Sequence, residues 1–597
     1  MPGKTPCQTV SDWYNTPEFK ASDCLEEGRH ILRFLDGLTG KQRSALVIFV
    51  VMMGIVLIGL GGVMASQDLP GALGSATPSP SAVSSSPQDA LATPRPMLAP
   101  TWTPIPTLPA APLLPYFQSA TCPFEVPPGA DVDCGYLTIA EDRAVGLAQS
   151  ALQASTRLIR LAVAIYRSPA DQPYADPLVY LHGGPGGAAL SRSPSYYETF
   201  ILPLLEDRDV IMFDQRGSGL SKPSLDCPEY SDMIQRELRE GYVIGDVPDD
   251  RYINALLVCR DRLRRLGVNP AAYTSAANAA DVVDLVTMLG YDQVNLYGVS
   301  YGTRLALTVM RDYPEIVRSV VLDSALPVEI SLYAEQAYKA DYAFGKLFAG
   351  CASDPACRRA YPNLEAAYYN VVDRLNATPI EVWGVTLRDG RTFNATVRGV
   401  DFTSLLFFSL YSSELIELAP AMIYAVRAGE TRLLTAFMGS PLSMEAGIST
   451  GVFISINCHE EIFTTTPAEI EAAHAAYPEM QDFARAAFFQ DIETHFEFCQ
   501  AWGAAPFNPL ELEPVISGLP ALILAGEYDP ATPPDFGRQV AANLSHSYFY
   551  EFPGQAHGVG MSNAGCALPM VRAFLDEPSQ APDSACIPEI PAPSFIR

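Results

Sequence analysis

Three side chains in this 597-residue chain have the types and settings to do chemistry together: Ser300 in Gly298-Val-Ser-Tyr-Gly302, Asp529 in Gly526-Glu-Tyr-Asp-Pro, and His557 in Gly554-Gln-Ala-His-Gly558. A serine hydroxyl is a weak nucleophile and must meet a base and an anion-stabilising site at once. A sharp strand-to-helix turn presents it that way, and crowding in such a turn favours glycine on either side. Of the seven histidines, His557 alone follows a strand-like run downstream of a matching acid. His182 opens a glycine loop, His30 lies far upstream, and His459, His474, His495 and His546 fall in helical or connecting stretches. An acid past one strand and a histidine past the next is the arrangement a Ser-His-Asp relay requires.

The elements that must position these residues are legible as apolar runs. Val294–Val299 reads as a buried strand before Ser300, and Tyr301–Leu307 as the start of a helix. Gly135–Ile139 and Leu158–Ile165 read as an opening hairpin, and Pro177–Leu181 as a strand running into His182-Gly-Gly-Pro-Gly-Gly187. Asp209–Phe213 is a further strand, followed by Asp214-Gln-Arg-Gly-Ser-Gly-Leu-Ser221, where Asp214 and Arg216 are expected to hold the loop together. Residues 228–290 look helical, with Asp281 and Asp284 expected on a solvated or capping face. Strands return at Arg318–Asp323, Pro520–Ala525 and Ser547–Phe552. Such alternation predicts a mainly parallel, doubly wound α/β sheet. Between its halves, residues 327–500 carry aromatic-rich helical segments and read as one inserted helical lid at the carboxyl ends of the strands, where ligands of open α/β sheets bind.

Outside this region the composition changes. Residues 45–65 form 21 consecutive uncharged positions, long enough to cross a bilayer as one helix. Lys41 and Arg43 precede them and no basic residue follows until Arg95, so a signal anchor over residues 44–65 would leave residues 1–43 cytoplasmic and the remainder outside. A cleaved signal peptide would have a far shorter leader. Residues 66–115 hold 12 prolines in 50 positions and read as a semi-rigid spacer. Ten of the 12 cysteines lie beyond it and cluster as 122/134, 227/259, 351/357, 458/499 and 566/586. Five local disulfides in an oxidising compartment are expected, although Cys458 could equally be a buried thiol. The net charge of −28 argues against nucleic acid as a partner, since phosphate binding needs a basic face. No zinc-type spacing occurs.

The motifs His182–Gly186, Asp214–Ser221, Gly298–Thr303, Gly526–Pro533 and Gly554–Gly558 together resemble the α/β-hydrolase serine exopeptidases related to proline iminopeptidase and the tripeptidyl aminopeptidases. The chain order Ser, Asp, His is that of the α/β-hydrolases. The resemblance spans about residues 120–590, giving a first core part over 116–326, the lid over 327–500 and a carboxyl-terminal core part over 501–597. It implies Ser300 as nucleophile, His557 as base, Asp529 as the orienting acid, and backbone N–H groups of Gly184 and Tyr301 as the oxyanion hole. It implies no metal or organic cofactor. Exopeptidase action on a free N-terminus further needs a carboxylate for the α-ammonium. The segment Gly451–Glu461 resembles a recurring lid segment of this branch, which nominates Glu460 and Glu461, with Glu461 preferred.

The expected activity is release of residues or short peptides from free N-termini. The same triad would serve an esterase, lactonase or amidase acting on small apolar acyl substrates, because fold does not determine function. A binding protein on an inactive hydrolase fold would require loss of a triad residue, and none is lost.

Overall fold

The strands that lead to the glycine loop, to Ser300 and to Asp529 are buried on both faces, which is why they read as unbroken apolar runs rather than alternating ones, whereas the strand before His557 lies at the sheet edge and is only partly buried. In the computed structural model, residues 114–143, 157–240, 249–386, 392–438, 447–487 and 491–596 are described. The segment expected to cross a membrane (44–65) and the Pro-rich segment up to residue 113 lie outside them, and no described helix is long and apolar enough to cross a bilayer.

Nine strands form the main sheet: β1 (Tyr116–Ala120), β2 (Val132–Ala140), β3 (Leu158–Tyr166), β4 (Leu178–Leu181), β5 (Val210–Phe213), β6 (Val294–Val299), β7 (Val317–Asp323), β10 (Ala521–Gly526) and β11 (Ser547–Phe552). Their order is β1-β2-β3-β5-β4-β6-β7-β10-β11. The first pairs are antiparallel and those from β5 to β11 parallel. This is the α/β-hydrolase fold.

Side-chain alternation feeds two cores from one sheet. Leu161, Val163 and Ile165 of β3, with Ile523 of β10, pack on one face against the helices Ser275–Leu289 and Tyr301–Asp312. Ala162, Ala164 and Tyr166, with Leu522 and Leu524, pack on the other against Ala564–Asp576. Because β4, β6, β10 and β11 run parallel, the loops that follow them emerge at the same carboxyl edge. His182, Ser300, Asp529 and His557 all sit in those loops.

Residues 327–500 differ from a single helical lid in two ways. They include a hairpin, β8 (Ile380–Thr386) with β9 (Thr392–Val397), that helical periodicity on either side concealed. They also divide between two cores. Helices from Gln336 to Met438 build their own aromatic core from Phe344, Phe348, Tyr368, Phe402 and Phe407, reaching Tyr528 and Ala556 beside the candidate triad. The stretch around Val452, Ile456, Cys458, Phe498 and Trp502 instead joins the core of the sheet.

All five cysteine pairs are disulfides, Cys122–Cys134, Cys227–Cys259, Cys351–Cys357, Cys458–Cys499 and Cys566–Cys586, so Cys458 is not a free thiol. The expected solvated face of the Ser275–Leu289 helix is also corrected. Asp281 is fully buried and grips the equally buried Arg216, Nη2 to Oδ1 at 2.6 Å and Nε to Oδ2 at 2.8 Å. Arg216 thus joins the loop after β5 to that helix. Two buried charges survive there because each satisfies the other.

Candidate active site

Ser300 takes φ 57° and ψ −125°, a backbone conformation that side-chain-bearing residues rarely adopt. The turn is too tight for anything but glycine on either side. A Cβ on Gly298 would run into the backbone of Gly302, and one on Gly302 into the carbonyl of Leu181. Tyr301 opens the following helix, so its N–H belongs to the first turn and has no acceptor within the helix.

The glycine loop after β4 passes directly over this turn. A Cβ on Gly183 would stand 2.9 Å from the Val299 carbonyl oxygen and 3.0 Å from the Ser300 Cβ. Gly184, expected to supply the second oxyanion donor, follows Gly183 in the same loop at φ 129°, where a Cβ would meet the backbone of Gly186 and Gly187. Gly183, one position earlier, is the loop residue whose Cα lies against Ser300. Asp214 fixes the far side of the loop by accepting the N–H groups of Ala189 and Leu190 at 2.7 and 3.0 Å, and that of Leu220 at 2.7 Å. Gln215 donates to the His182 carbonyl at 2.9 Å.

Asp529 is fully buried. Its Oδ1 accepts the backbone N–H groups of Ala531 and Thr532, both at 2.9 Å, and its Oδ2 accepts the Thr532 hydroxyl at 2.8 Å. His557 Nδ1 lies 2.9 Å from Oδ1 and 2.8 Å from Oδ2. Burial alone would raise the pKa of Asp529, but the charge and hydrogen bond of His557 outweigh it, helped by Thr532, and hold the carboxyl below its usual range. For His557, burial disfavours the cation. The Asp529 charge and hydrogen bond, then Asp323, reverse this and place it above its ordinary value. The ring of Tyr411, from the lid, packs edge-on against His557 at 5.1 Å. The lid also receives the Ala556 N–H on Ser413 Oγ at 3.0 Å.

The other described histidines are occupied elsewhere. Loss of water around His182, then the nearby Arg192 charge, pushes its pKa down to about 4. His459 bridges the Ala505 carbonyl and Glu511 at 2.9 and 2.8 Å, and His474 meets the Tyr333 carbonyl at 2.8 Å.

Glu460 and Glu461 are not brought to the triad as open acceptors. Glu460 receives the N–H and hydroxyl of Ser275, both at 2.7 Å. Glu461 pairs with Arg304 through Oε1 and accepts the Leu332 N–H at 2.6 Å through Oε2. Arg304 lies one helical turn beyond Ser300, and Arg304 and both carboxylates are almost wholly buried. Every oxygen of the two acids has an internal partner, so their place is in a brace between the elbow helix and the Cys458–Ile462 segment. Thr532 was missed from sequence. The Asp-x-x-Thr spacing, which lets a side chain return to its own acid, was the available signal.

Together these groups can carry acyl transfer. A half-buried serine stands on a strained turn, an acid-supported imidazole lies in a neighbouring loop, and a first-turn helix N–H with a bare glycine loop can receive an oxyanion. The chain belongs to the α/β-hydrolases: a family model for the alpha/beta hydrolase fold matches residues 176–385, and one for TAP-like proteins matches residues 486–586. Its motifs and these two models place it with the proline iminopeptidase and tripeptidyl aminopeptidase-like family, and the protein is a serine hydrolase. It is 25% identical over 447 residues to serine protease Hip1 of Mycobacterium tuberculosis, covering 71% of this chain and 83% of that one. It is 23% identical to the putative hydrolase YuaR of Escherichia coli, over 76% of this chain and 87% of the relative. A tripeptidyl aminopeptidase of Streptomyces coelicolor is 28% identical over 33% of this chain and 35% of its own.

Proposed function

We propose that this serine hydrolase is an aminopeptidase, held at the membrane by residues 44–65 with its catalytic part outside the cytoplasm, that releases residues or short peptides from free N-termini. The observation that carries the reading is the contact of His557 Nδ1 with Asp529 at 2.8 Å, in loops that share the carboxyl edge with Ser300. Ser300 Oγ attacks the scissile carbonyl while His557 Nε2 takes its proton and hands it to the leaving amine. Water then resolves the acyl-enzyme by the same route. The Tyr301 N–H and the Gly183–Gly184 segment receive the developing oxyanion, at about 3 kcal/mol per donor. The names of the relatives support peptide substrates, and the five disulfides support an oxidising compartment.

The internal pairing of Glu460 and Glu461 favours a second reading, an esterase or amidase acting on small acyl groups, because every oxygen of those two acids is already held by a protein donor. The test is a panel of aminoacyl, tripeptidyl, N-blocked peptidyl and simple ester chromogens on the full chain, with Ser300→Ala as control. Preference for unblocked peptides is expected. Preference for N-blocked or ester substrates refutes the aminopeptidase, and turnover by Ser300→Ala refutes the triad.

A further inference from the structure

Asp323 and Ser324 close β7 and are not members of the triad, yet they touch the Ser300 turn, the His557 loop and the strand that leads to Asp529. The Ser300 N–H donates to the Asp323 carbonyl at 3.0 Å. The Ser324 N–H donates to the Leu524 carbonyl at 2.8 Å, on the strand that leads to Asp529. The Asp323 carboxylate accepts the N–H groups of Val559 and Gly560, both at 2.8 Å, and the Tyr297 hydroxyl at 2.9 Å. The Ser324 hydroxyl accepts the Gly558 N–H at 2.9 Å. Three successive N–H groups after His557 therefore end on this one dipeptide.

The dipeptide is also held under conditions that a mere strand end does not require. Asp323 and Ser324 are both fully buried, and Ser324 sits at φ 62°. A buried carboxylate is unfavourable unless donors converge on it, and here they converge from the histidine loop and from β6. An apolar residue would end the strand at less expense.

We propose that Asp323, with Ser324, is a positioning residue of the triad: the pair sets the His557 loop against Ser300, and the Asp323 charge joins that of Asp529 in favouring the imidazolium formed when His557 takes the serine proton. The inference rests on the triad reading above. The groups around His557 are Asp529 and Thr532 from the loop after β10, Tyr411 from the lid and Asp323 from β7. Lys339, on the helix Gln336–Ser353, places an opposing charge toward Asp529. Burial presses His557 down, and Asp529 and then Asp323 raise it.

The experiment is steady-state kinetics of the full chain across the acid limb, comparing wild type, Asp323→Asn and Ser324→Ala on one chromogenic substrate. Asp323→Asn is expected to lower kcat by about 10- to 100-fold, as for a misplaced catalytic group, with KM within about twofold. It also moves the acid limb of kcat/KM to lower pH, because one of two negative charges near the imidazolium is gone. Ser324→Ala lowers kcat but leaves the limb in place, since no charge is removed. Wild-type kcat in Asp323→Asn, a loss carried by KM, or a lowered kcat with an unmoved or raised limb overturns the proposal. If Asp323→Asn does not fold, Ser324→Ala decides, and an unchanged kcat there overturns it. Turnover by Ser300→Ala defeats the triad itself and is distinct from each of these results.

Discussion

Replacing Asp529 by asparagine tests the hydrogen-bond relay most directly, because the surrounding donors dictate how the amide must sit. Two backbone N–H groups, of Ala531 and Thr532, end on Oδ1 at 2.9 Å. The amide must turn its oxygen toward them, since its NH2 would oppose two donors. The NH2 then takes the Oδ2 place, 2.8 Å from both the Thr532 hydroxyl and His557 Nδ1. The hydroxyl can rotate to accept. His557 Nδ1 lies nearer this NH2 than the amide oxygen at 2.9 Å, and facing the NH2 it becomes the acceptor while the ring proton moves to Nε2, the nitrogen that must accept from Ser300. The wrong tautomer and the lost charge together should lower kcat about 10⁴-fold, or about 5 kcal/mol of transition-state stabilisation. The Asp529→Asn protein should still fold, because every donor keeps a partner. The assay is kcat and kcat/KM on an activated ester and an unblocked peptide, beside a thermal melt. A folded Asp529→Asn protein whose kcat stays within tenfold of wild type would refute both the tautomer argument and the role of Asp529.

Other outcomes follow from the same contacts. His557 is held above its ordinary value of about 6.5, so kcat/KM should fall on the acid side with a midpoint above about pH 6.5; a midpoint at or below about 6 contradicts this. The raised value also stabilises the fold, fully below about pH 6.5 and fading as pH rises through the folded pKa. The gap in urea midpoint between wild type and His557→Gln should therefore narrow with rising pH, and a constant gap refutes the linkage. Asp529, held low, contributes in the opposite sense: its stabilisation is present above about pH 4 and is lost as pH falls through its folded value. Glu461→Gln removes the close partner of a buried Arg304 and should destabilise by about 3 kcal/mol, eased by Glu460 at 3.8 Å. Its effect on kcat/KM should be equal for unblocked peptides and neutral esters; a selective loss on peptides would restore it as the amine anchor.

The order of chemistry along the chain was readable because the Ser300 and Asp529 loops follow doubly buried strands, which announce themselves as short apolar runs, and the His557 loop follows an aromatic-rich edge strand, each bounded by glycine or proline. The glycines around Ser300 were readable for a related reason: their backbone neighbours lie too close for any Cβ. The five cysteine pairs were readable as neighbours in sequence because each bridge closes a local loop, the longest spanning 41 residues.

What sequence alone determined is therefore the strand, loop and nucleophile framework, whose signals are local in the chain. Only the tertiary structure decided which groups face one another. It laid Gly183 against Ser300, buried Asp281 against Arg216, and occupied Glu460 and Glu461 with Ser275, Leu332 and Arg304. It brought Asp323, over 230 positions away, to the N–H groups after His557. An acidic side chain reads the same on paper whether solvated or buried. Its role is set by the donors that reach it, and those come from strands and helices distant in the chain.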